Sequence, residues 1–188
     1  VPGAADWTSP TRRRSPATVN RDMVPLRAAL NMALDNGDAL NDQAWRVALR
    51  PIKKADGRRN LYLDKAQRRD LLAHLAEDVR AFARGLCLLP LRPGALAALV
   101  AGDYDHRRSE LVIGKDKAGT GRAILVEGET AAMLRAQTRG KLPAAPLFAR
   151  ADGAAWKAYM WKDAIKAAAN AAKLPAGVVA YSLRHSTI

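Results

Sequence analysis

The chain has 188 residues, of which 31 are lysine or arginine and 18 are aspartate or glutamate, giving a formal net charge of +13. This surplus favours a polyanionic partner, above all nucleic acid, although a merely basic soluble protein is the alternative. The charge is spread along the chain, since residues 1–59 carry +5 and residues 60–188 carry +8. With 49% hydrophobic residues the chain can form a packed core, which excludes a disordered basic tail.

Other classes of protein are excluded by what the sequence lacks. Cys87 is the single cysteine, so an intrachain disulfide framework is excluded and a buried, inert thiol is expected. No uncharged apolar run reaches membrane-spanning length and the first residues lack the order of a signal peptide, which predicts a cytoplasmic protein without a membrane partner. The histidines are isolated in sequence, which predicts neither a metal site nor a cofactor; they are His74, His106 and His185.

The first predicted helix begins at Ser15-Pro16, because serine caps helices and proline suits the first turn. Apolar residues then recur at helical spacing until Asp35-Asn36-Gly37. Residues 50–60 are polar and rich in helix breakers, as is typical of a linker. We therefore expect a first domain over residues 1–50, a linker over 51–61 and a second domain over 62–188.

The second domain begins with a predicted capping pair, Asp64 and Gln67, and is mainly helical. An apolar stripe through Phe82 predicts a second helix that ends at Pro90, and a short helix follows through Leu99. The spacing of the apolar residues is then no longer helical, which predicts two strands joined by a Gly- and Lys-bearing turn. These two strands span residues 110–113 and 122–126. A helix over 130–139 and an Ala-rich helix over 154–173 are predicted to follow them. The tryptophans at 45, 156 and 161 share the spacing of their apolar neighbours, which predicts packing rather than base stacking.

Two separated arginines stand out as a pair that could clamp a phosphodiester. Arg92 lies in Leu91-Arg92-Pro93-Gly94 and Arg184 lies in Tyr181-Ser182-Leu183-Arg184. We expect each to lie at the start of an apolar helical segment, where a guanidinium can offer a planar fork of donors to phosphate oxygens. Either arginine alone is equally compatible with a surface role.

In this order of elements, with a lysine-bearing hairpin between two arginine motifs, the chain resembles the tyrosine recombinase family, of the phage-integrase type. The resemblance covers residues 15 to 188. Residues 15–33 resemble the last helices of the family's core-binding domain, and the rest resembles the front of its catalytic domain. It implies an α+β, mainly α fold: an integrase-type catalytic domain with a small antiparallel sheet, preceded by a remnant of a helical core-binding domain.

The resemblance also implies a set of catalytic residues. Arg92 matches the first catalytic arginine of the family and Arg184 the second. Lys117 matches the hairpin lysine, with Lys115 as the alternative, and a solvated turn lysine is the other interpretation of both. Tyr181 replaces the histidine of the second arginine box, and Ala95 replaces the acidic residue three positions after the first arginine.

The resemblance implies cleavage and rejoining of DNA through a 3′-phosphotyrosine intermediate, in the manner of a mobile-element integrase. None of the four tyrosines matches the nucleophile position of the family, so we expect this chain to be a fragment that binds DNA and is inactive alone. The alternative is an integrase-fold DNA-binding module whose chemistry has decayed. An RNA-binding protein fits less well because aromatic content is 5%.

Double-stranded DNA is therefore the expected partner, with a homo-oligomer on DNA expected for the full-length protein. Basic and polar residues in two further segments are candidate phosphate contacts, although a flexible basic arm and a solvated helix face are the alternatives. The candidates are Arg12, Arg13, Arg14, Thr18, Asn20 and Arg21 in the first segment, and Lys162 and Lys166 in the second, besides Lys115 in the hairpin.

Overall fold

The computed structural model describes residues 14–55, 61–114 and 121–185, with residue 185 described by its backbone alone. The chain forms two compact units, residues 1–59 and residues 60–188. None of the helices in the described part of the chain combines the length and the apolar character needed to cross a membrane.

The first unit contains helix α1, Pro16–Asp35, and helix α2, Gln43–Ala48. The predicted start of α1 is confirmed: Ser15 is its N-cap, and its hydroxyl accepts a hydrogen bond from the Thr18 amide at 3.2 Å. The predicted end is confirmed too, because Gly37 takes a positive φ of 82° that terminates the helix. Helix α2 was not predicted from the sequence.

The second unit is mainly helical and holds one small sheet, as predicted for the fold class. Its helices are α3 Lys65–Ala73, α4 Glu77–Leu88, α5 Pro93–Ala97, α6 Gly128–Thr138, α7 Lys162–Ala171 and α8 Ala180–His185. Three antiparallel strands lie in the order β1-β2-β3, with bounds β1 Tyr104–Asp105, β2 Glu110–Ile113 and β3 Arg122–Leu125. The register pairs Leu111 with Tyr104 on one side and with Ile124 on the other.

The core of the second unit is built around α4. Phe82 is fully buried and its ring stacks on Trp161 at a centroid distance of 4.8 Å, with Trp156 at 5.5 Å. Trp156 and Trp161 are both 7% exposed, which confirms their predicted packing role. Trp45, in the first unit, is half-buried, and its indole N–H donates to Oδ1 of Asn31 at 2.9 Å. Cys87 is buried as predicted, and its desolvation raises the pKa of the thiol to about 11.

Several helix boundaries differ from the prediction, among them those of α6, which spans Gly128–Thr138 rather than residues 130–139. Helix α7 begins at Lys162 rather than at residue 154, because Tyr159 has a φ of 68°, which α-helical backbone cannot accommodate. Helix α5 ends at Ala97, before Leu99, because the chain there leaves the helix to pair with another segment. The carbonyl oxygen of Leu99 accepts a hydrogen bond from the Leu147 amide at 2.9 Å.

Candidate nucleic-acid interface

Arg92 is the N-cap residue of α5 and lies between two buried neighbours. Leu91 is 1% exposed and Pro93 is buried at the first helical position, whereas the Arg92 side chain is exposed. Its backbone carbonyl accepts a hydrogen bond from the Leu96 amide at 2.9 Å. The apolar neighbours fix the backbone on both sides, so the guanidinium is presented to solvent from an anchored position.

Arg184 is the fifth residue of α8, which begins at Ala180, so the prediction that it begins a helical segment is wrong. The start of α8 is set by Ser182, whose hydroxyl accepts a hydrogen bond from the Val179 amide at 3.3 Å. Leu183 is fully buried, and α8 packs against α4. Arg184 itself is half-buried. The buried leucine before it fixes its backbone, as Leu91 does for Arg92.

Packing of α5 and α8 on α4 brings the two arginines to one cleft of about 820 Å³. Arg92, Arg184 and Tyr181 all line it. Tyr181 is 44% exposed. The described residues that line the cleft are Pro90, Leu91, Arg92, Gly94, Ala95, Ala98, Leu99, Val100, Asp103, Ile113, Gly114, Arg122, Tyr181 and Arg184. Residues that are distant in sequence, and that were selected from two separate motifs, therefore share one concave surface.

The cleft is electrostatically positive. Among the described residues, its lining holds three arginines and one carboxylate, Asp103, whose Oδ2 accepts a hydrogen bond from the Val100 amide at 2.8 Å. None of the ion pairs between described residues involves Arg92, Arg122 or Arg184. Ala95, three residues after Arg92, also lines the cleft and provides no carboxylate to brace that arginine. An anion entering the cleft would meet three arginines, none of which forms an ion pair with a described carboxylate.

Sequence reasoning missed Arg122 and Asp103 as residues of this cleft. Arg122 begins β3 and is paired in register with Ile113, the pair of the β2–β3 hairpin that lies next to its turn. Its position beside the lysine-bearing turn was a signal in the sequence, whereas nothing local marked Asp103. The turn lysines, Lys115 and Lys117, lie outside the described residues. Gly114 and Arg122, close to the turn on either side, both line the cleft.

The candidate contacts of the first unit have varied surroundings. Arg12 and Arg13 lie outside the described residues, whereas Arg14 is exposed and forms an ion pair with Asp22. The Asn20 amide is occupied by the backbone of Ile52, donating to its carbonyl at 3.0 Å and accepting from its N–H at 2.8 Å.

The remaining candidate contacts are Thr18 and Arg21 in α1 and Lys162 and Lys166 in α7. The Thr18 hydroxyl lies 2.9 Å from the Ser15 hydroxyl, and the Arg21 side chain is exposed. Both lysines of α7 are exposed. Ile165, between them in sequence, is 1% exposed, so one face of α7 packs in the core while its lysines face solvent.

Comparison with known proteins identifies the fold. No protein-family model and no curated protein sequence matches the chain. Among solved structures, the chain is similar to the integrase of transposon Tn1549 in complex with transposon right end DNA, with a TM-score of 0.74 and 16% identity over 92% of this chain and 66% of that one. It is similar to a lambda integrase dimer bound to a core site, with a TM-score of 0.71 and 14% identity over 92% of this chain and 65% of that one.

A third similar structure is the XerA recombinase, with a TM-score of 0.53 and 18% identity over 92% of this chain and 66% of that one. This chain spans 65% of the length of another Tn1549 integrase structure that it matches. Identities this low establish the fold alone. The chain therefore has the fold of the phage and transposon integrases, as its sequence motifs predicted.

Proposed function

We propose that the chain is the DNA-binding and phosphate-clamping part of a tyrosine-type site-specific recombinase, which cleaves and rejoins duplex DNA. The observation that carries the proposal is the convergence of Arg92, Arg184 and Tyr181 on one positive cleft. The fold supports it, since the similar Tn1549 and lambda integrases were solved with DNA bound. In this proposal the protein acts in the cytoplasm and is encoded by a mobile element.

The two arginines are the proposed clamp for the scissile phosphate. Each guanidinium offers a planar fork of donors that matches two phosphoryl oxygens. As a nucleophile attacks, negative charge grows on the non-bridging oxygens, and donors already held in place stabilise that charge without reorganisation. Tyr181, in the histidine position of the family, adds a neutral hydroxyl that donates a hydrogen bond to the same phosphate.

The cleavage step transfers the phosphate from DNA to a tyrosine. A tyrosine hydroxyl loses its proton to solvent as its oxygen bonds to phosphorus, the bond from phosphorus to the 5′ oxygen breaks, and Lys117 protonates that leaving oxygen. Neighbouring guanidiniums favour the neutral form of a lysine and so assist it as an acid. We assign the nucleophile to a tyrosine outside these 188 residues, because none of the tyrosines here matches its position in the family. By itself the chain is then a DNA-binding fragment without cleavage activity.

Contacts to the DNA backbone outside the cleft complete the proposed interface. Lys162 and Lys166 on the solvent face of α7 can each neutralise one phosphate. In the first unit, the proposed contacts are Arg12, Arg13, Arg14, Thr18, Asn20 and Arg21. Among these, Arg14 and Asn20 would have to exchange their bonds to Asp22 and to the Ile52 backbone for bonds to DNA. We further propose that the full-length protein assembles on DNA as a homo-oligomer.

The test is duplex binding as a function of salt concentration. The logarithm of the binding constant of the wild-type chain should fall linearly with the logarithm of the salt concentration. An Arg92→Gln/Arg184→Gln variant should lower the slope of this line by about one, because the two arginines are proposed to neutralise the same phosphate. The matched control is Lys65→Gln/Arg69→Gln, which removes the same charge from two exposed residues of α3 that do not line the cleft. Equal slopes for the two variants would show that the arginines do not clamp DNA.

A second candidate is a DNA-binding module on the same fold whose chemistry has decayed. Ala95 and Tyr181 favour it, since they stand in the cleft where the family carries an acidic residue and a histidine. The two candidates can be distinguished by whether the protein, expressed from its complete gene, becomes covalently trapped on a nicked duplex. A denaturant-resistant protein–DNA adduct supports the recombinase, and binding without an adduct supports the module.

A further inference from the structure

A second groove, of about 560 Å³, shares a wall with the cleft. The wall is the segment between Leu99 and Tyr104. Leu99 and Asp103 line the cleft, whereas Gly102 and Tyr104 line the groove, and no described residue lines both. A ligand in the groove would therefore not contact the residues assigned to the phosphate clamp.

The wall of the groove is held by close backbone pairing. The Gly102 amide donates to the Pro143 carbonyl at 2.8 Å, and a Cβ atom at Gly102 would lie 3.1 Å from both Cβ and O of Pro143. Lys141 is fixed as well, because its ammonium group donates to the carbonyls of Pro146 at 3.0 Å and Leu147 at 2.7 Å. One of its three N–H donors remains available to a ligand. The groove is thus preformed.

The charged side chains that line the groove are all basic. Arg135, Arg139 and Lys141 line it together with His106, and its described lining contains no aspartate or glutamate. None of the ion pairs between described residues includes these four side chains. The only hydrogen bond that either arginine side chain forms within the described chain is a long one, 3.4 Å, from Arg135 to the Ser109 hydroxyl. Three cations in one groove are thus left without a described carboxylate to neutralise them.

Tyr104 also lines the groove. Its side chain is 5% exposed, and its hydroxyl is buried without a hydrogen-bond partner in the described structure. Desolvation also lowers the pKa of Lys141, and an anion beside it would favour its charged form.

We propose that this groove is a second anion site, which binds a phosphate group through Arg135, Arg139 and the remaining N–H of Lys141. Three cations favour a phosphate, which carries up to about two negative charges, over a single carboxylate. The ligand chemistry is a phosphoryl group with free oxygens, and its source is either the backbone of a nucleic acid strand or a free phosphate. The inference does not rest on the proposed recombinase function.

The first experiment measures pyrophosphate binding by isothermal titration calorimetry. It uses Arg92→Gln/Arg184→Gln as the background, so that binding in the cleft does not obscure the groove. We expect this protein to bind pyrophosphate, and addition of Arg135→Gln/Arg139→Gln to weaken binding at least tenfold. Addition of Lys65→Gln/Arg69→Gln, with the same loss of charge, should change it less than twofold. Equal effects of the two additions would overturn the proposal.

The second experiment identifies the source of the phosphate. In the otherwise unchanged chain, Arg135→Gln/Arg139→Gln should lower the salt slope of duplex binding by about one if a phosphate of the DNA backbone occupies the groove. An unchanged slope, with pyrophosphate binding lost, assigns the groove to a free phosphate. Absence of an effect in both experiments refutes the site. Both arginines are exposed, so their replacement should leave the fold intact, which circular dichroism will verify.

Discussion

Replacing Gly85 by alanine tests how closely α4 packs against the segment that presents Arg92. A Cβ atom at Gly85 would lie 2.8 Å from Cζ of Phe148 and 3.0 Å from Cδ2 of Leu96. Neither neighbour can move away easily, since Phe148 is 1% exposed and Leu96 is fully buried. Alanine favours a helix over glycine by about 0.5–1 kcal/mol, whereas overpacking a core costs about 1–3 kcal/mol. The steric cost should exceed the helical gain.

We therefore expect Gly85→Ala to destabilise the second unit by about 1–2 kcal/mol. For a domain of this size that loss lowers Tm by about 3–8 °C, which differential scanning calorimetry will resolve. The matched control is Gly94→Ala in α5, where a Cβ atom would meet nothing within 4 Å. Its Tm should stay the same or rise. A Gly85→Ala protein as stable as the wild type would refute this account of the packing beneath Arg92.

Three further predictions concern the core, the thiol and the α7 lysines. Phe82→Ala should lose about 3–5 kcal/mol of stability in urea unfolding, because it leaves a cavity beside both tryptophans, and a loss below about 1 kcal/mol would contradict the central position of Phe82. Burial raises the pKa of the Cys87 thiol from 9.0 to about 11, so as the pH rises this thiol ionises in the unfolded state before it does in the folded state. The contribution of Cys87 to the free energy of unfolding should therefore fall between about pH 9 and 11. A Cys87→Ala variant should lack that part of the alkaline loss, and identical pH profiles would argue against it. Lys162→Gln/Lys166→Gln should lower the salt slope of duplex binding by about two without changing Tm by more than a few degrees, and an unchanged slope would place α7 away from DNA.

The elements that were predicted correctly are those whose signals are local. Ser15 and the Asp64–Gln67 pair cap their helices as expected, the latter through hydrogen bonds of 2.8 and 3.0 Å that complete a capping box. A capping residue acts within three positions of itself, so its effect can be read from the sequence. Strand β1, Tyr104–Asp105, escaped prediction because two residues cannot establish a period.

The site depends on tertiary contacts, and the sequence indicated it in part. Arg92 and Arg184 were selected as a pair from their motifs, and the family resemblance matched them to catalytic positions. Their shared cleft comes from the packing of α5 and α8 on α4. Asp103 and the residues of the second groove carried no signal, because only the pairing of residues 99–102 with residues 143–147 assembles them. The start of α7 was misjudged because Ala-rich sequence favours a helix while the left-handed Tyr159 interrupts it.

The most direct measurement of the central claim is nuclear magnetic resonance of the arginine side chains during titration with duplex DNA. The Nε–Hε signals of Arg92 and Arg184 can be assigned with the Arg92→Lys and Arg184→Lys variants. Because both guanidiniums are proposed to hold one phosphate, their signals should shift together and saturate at the same DNA concentration. Signals of both arginines that stay in place while those of other arginines shift would show that DNA binds elsewhere on the chain.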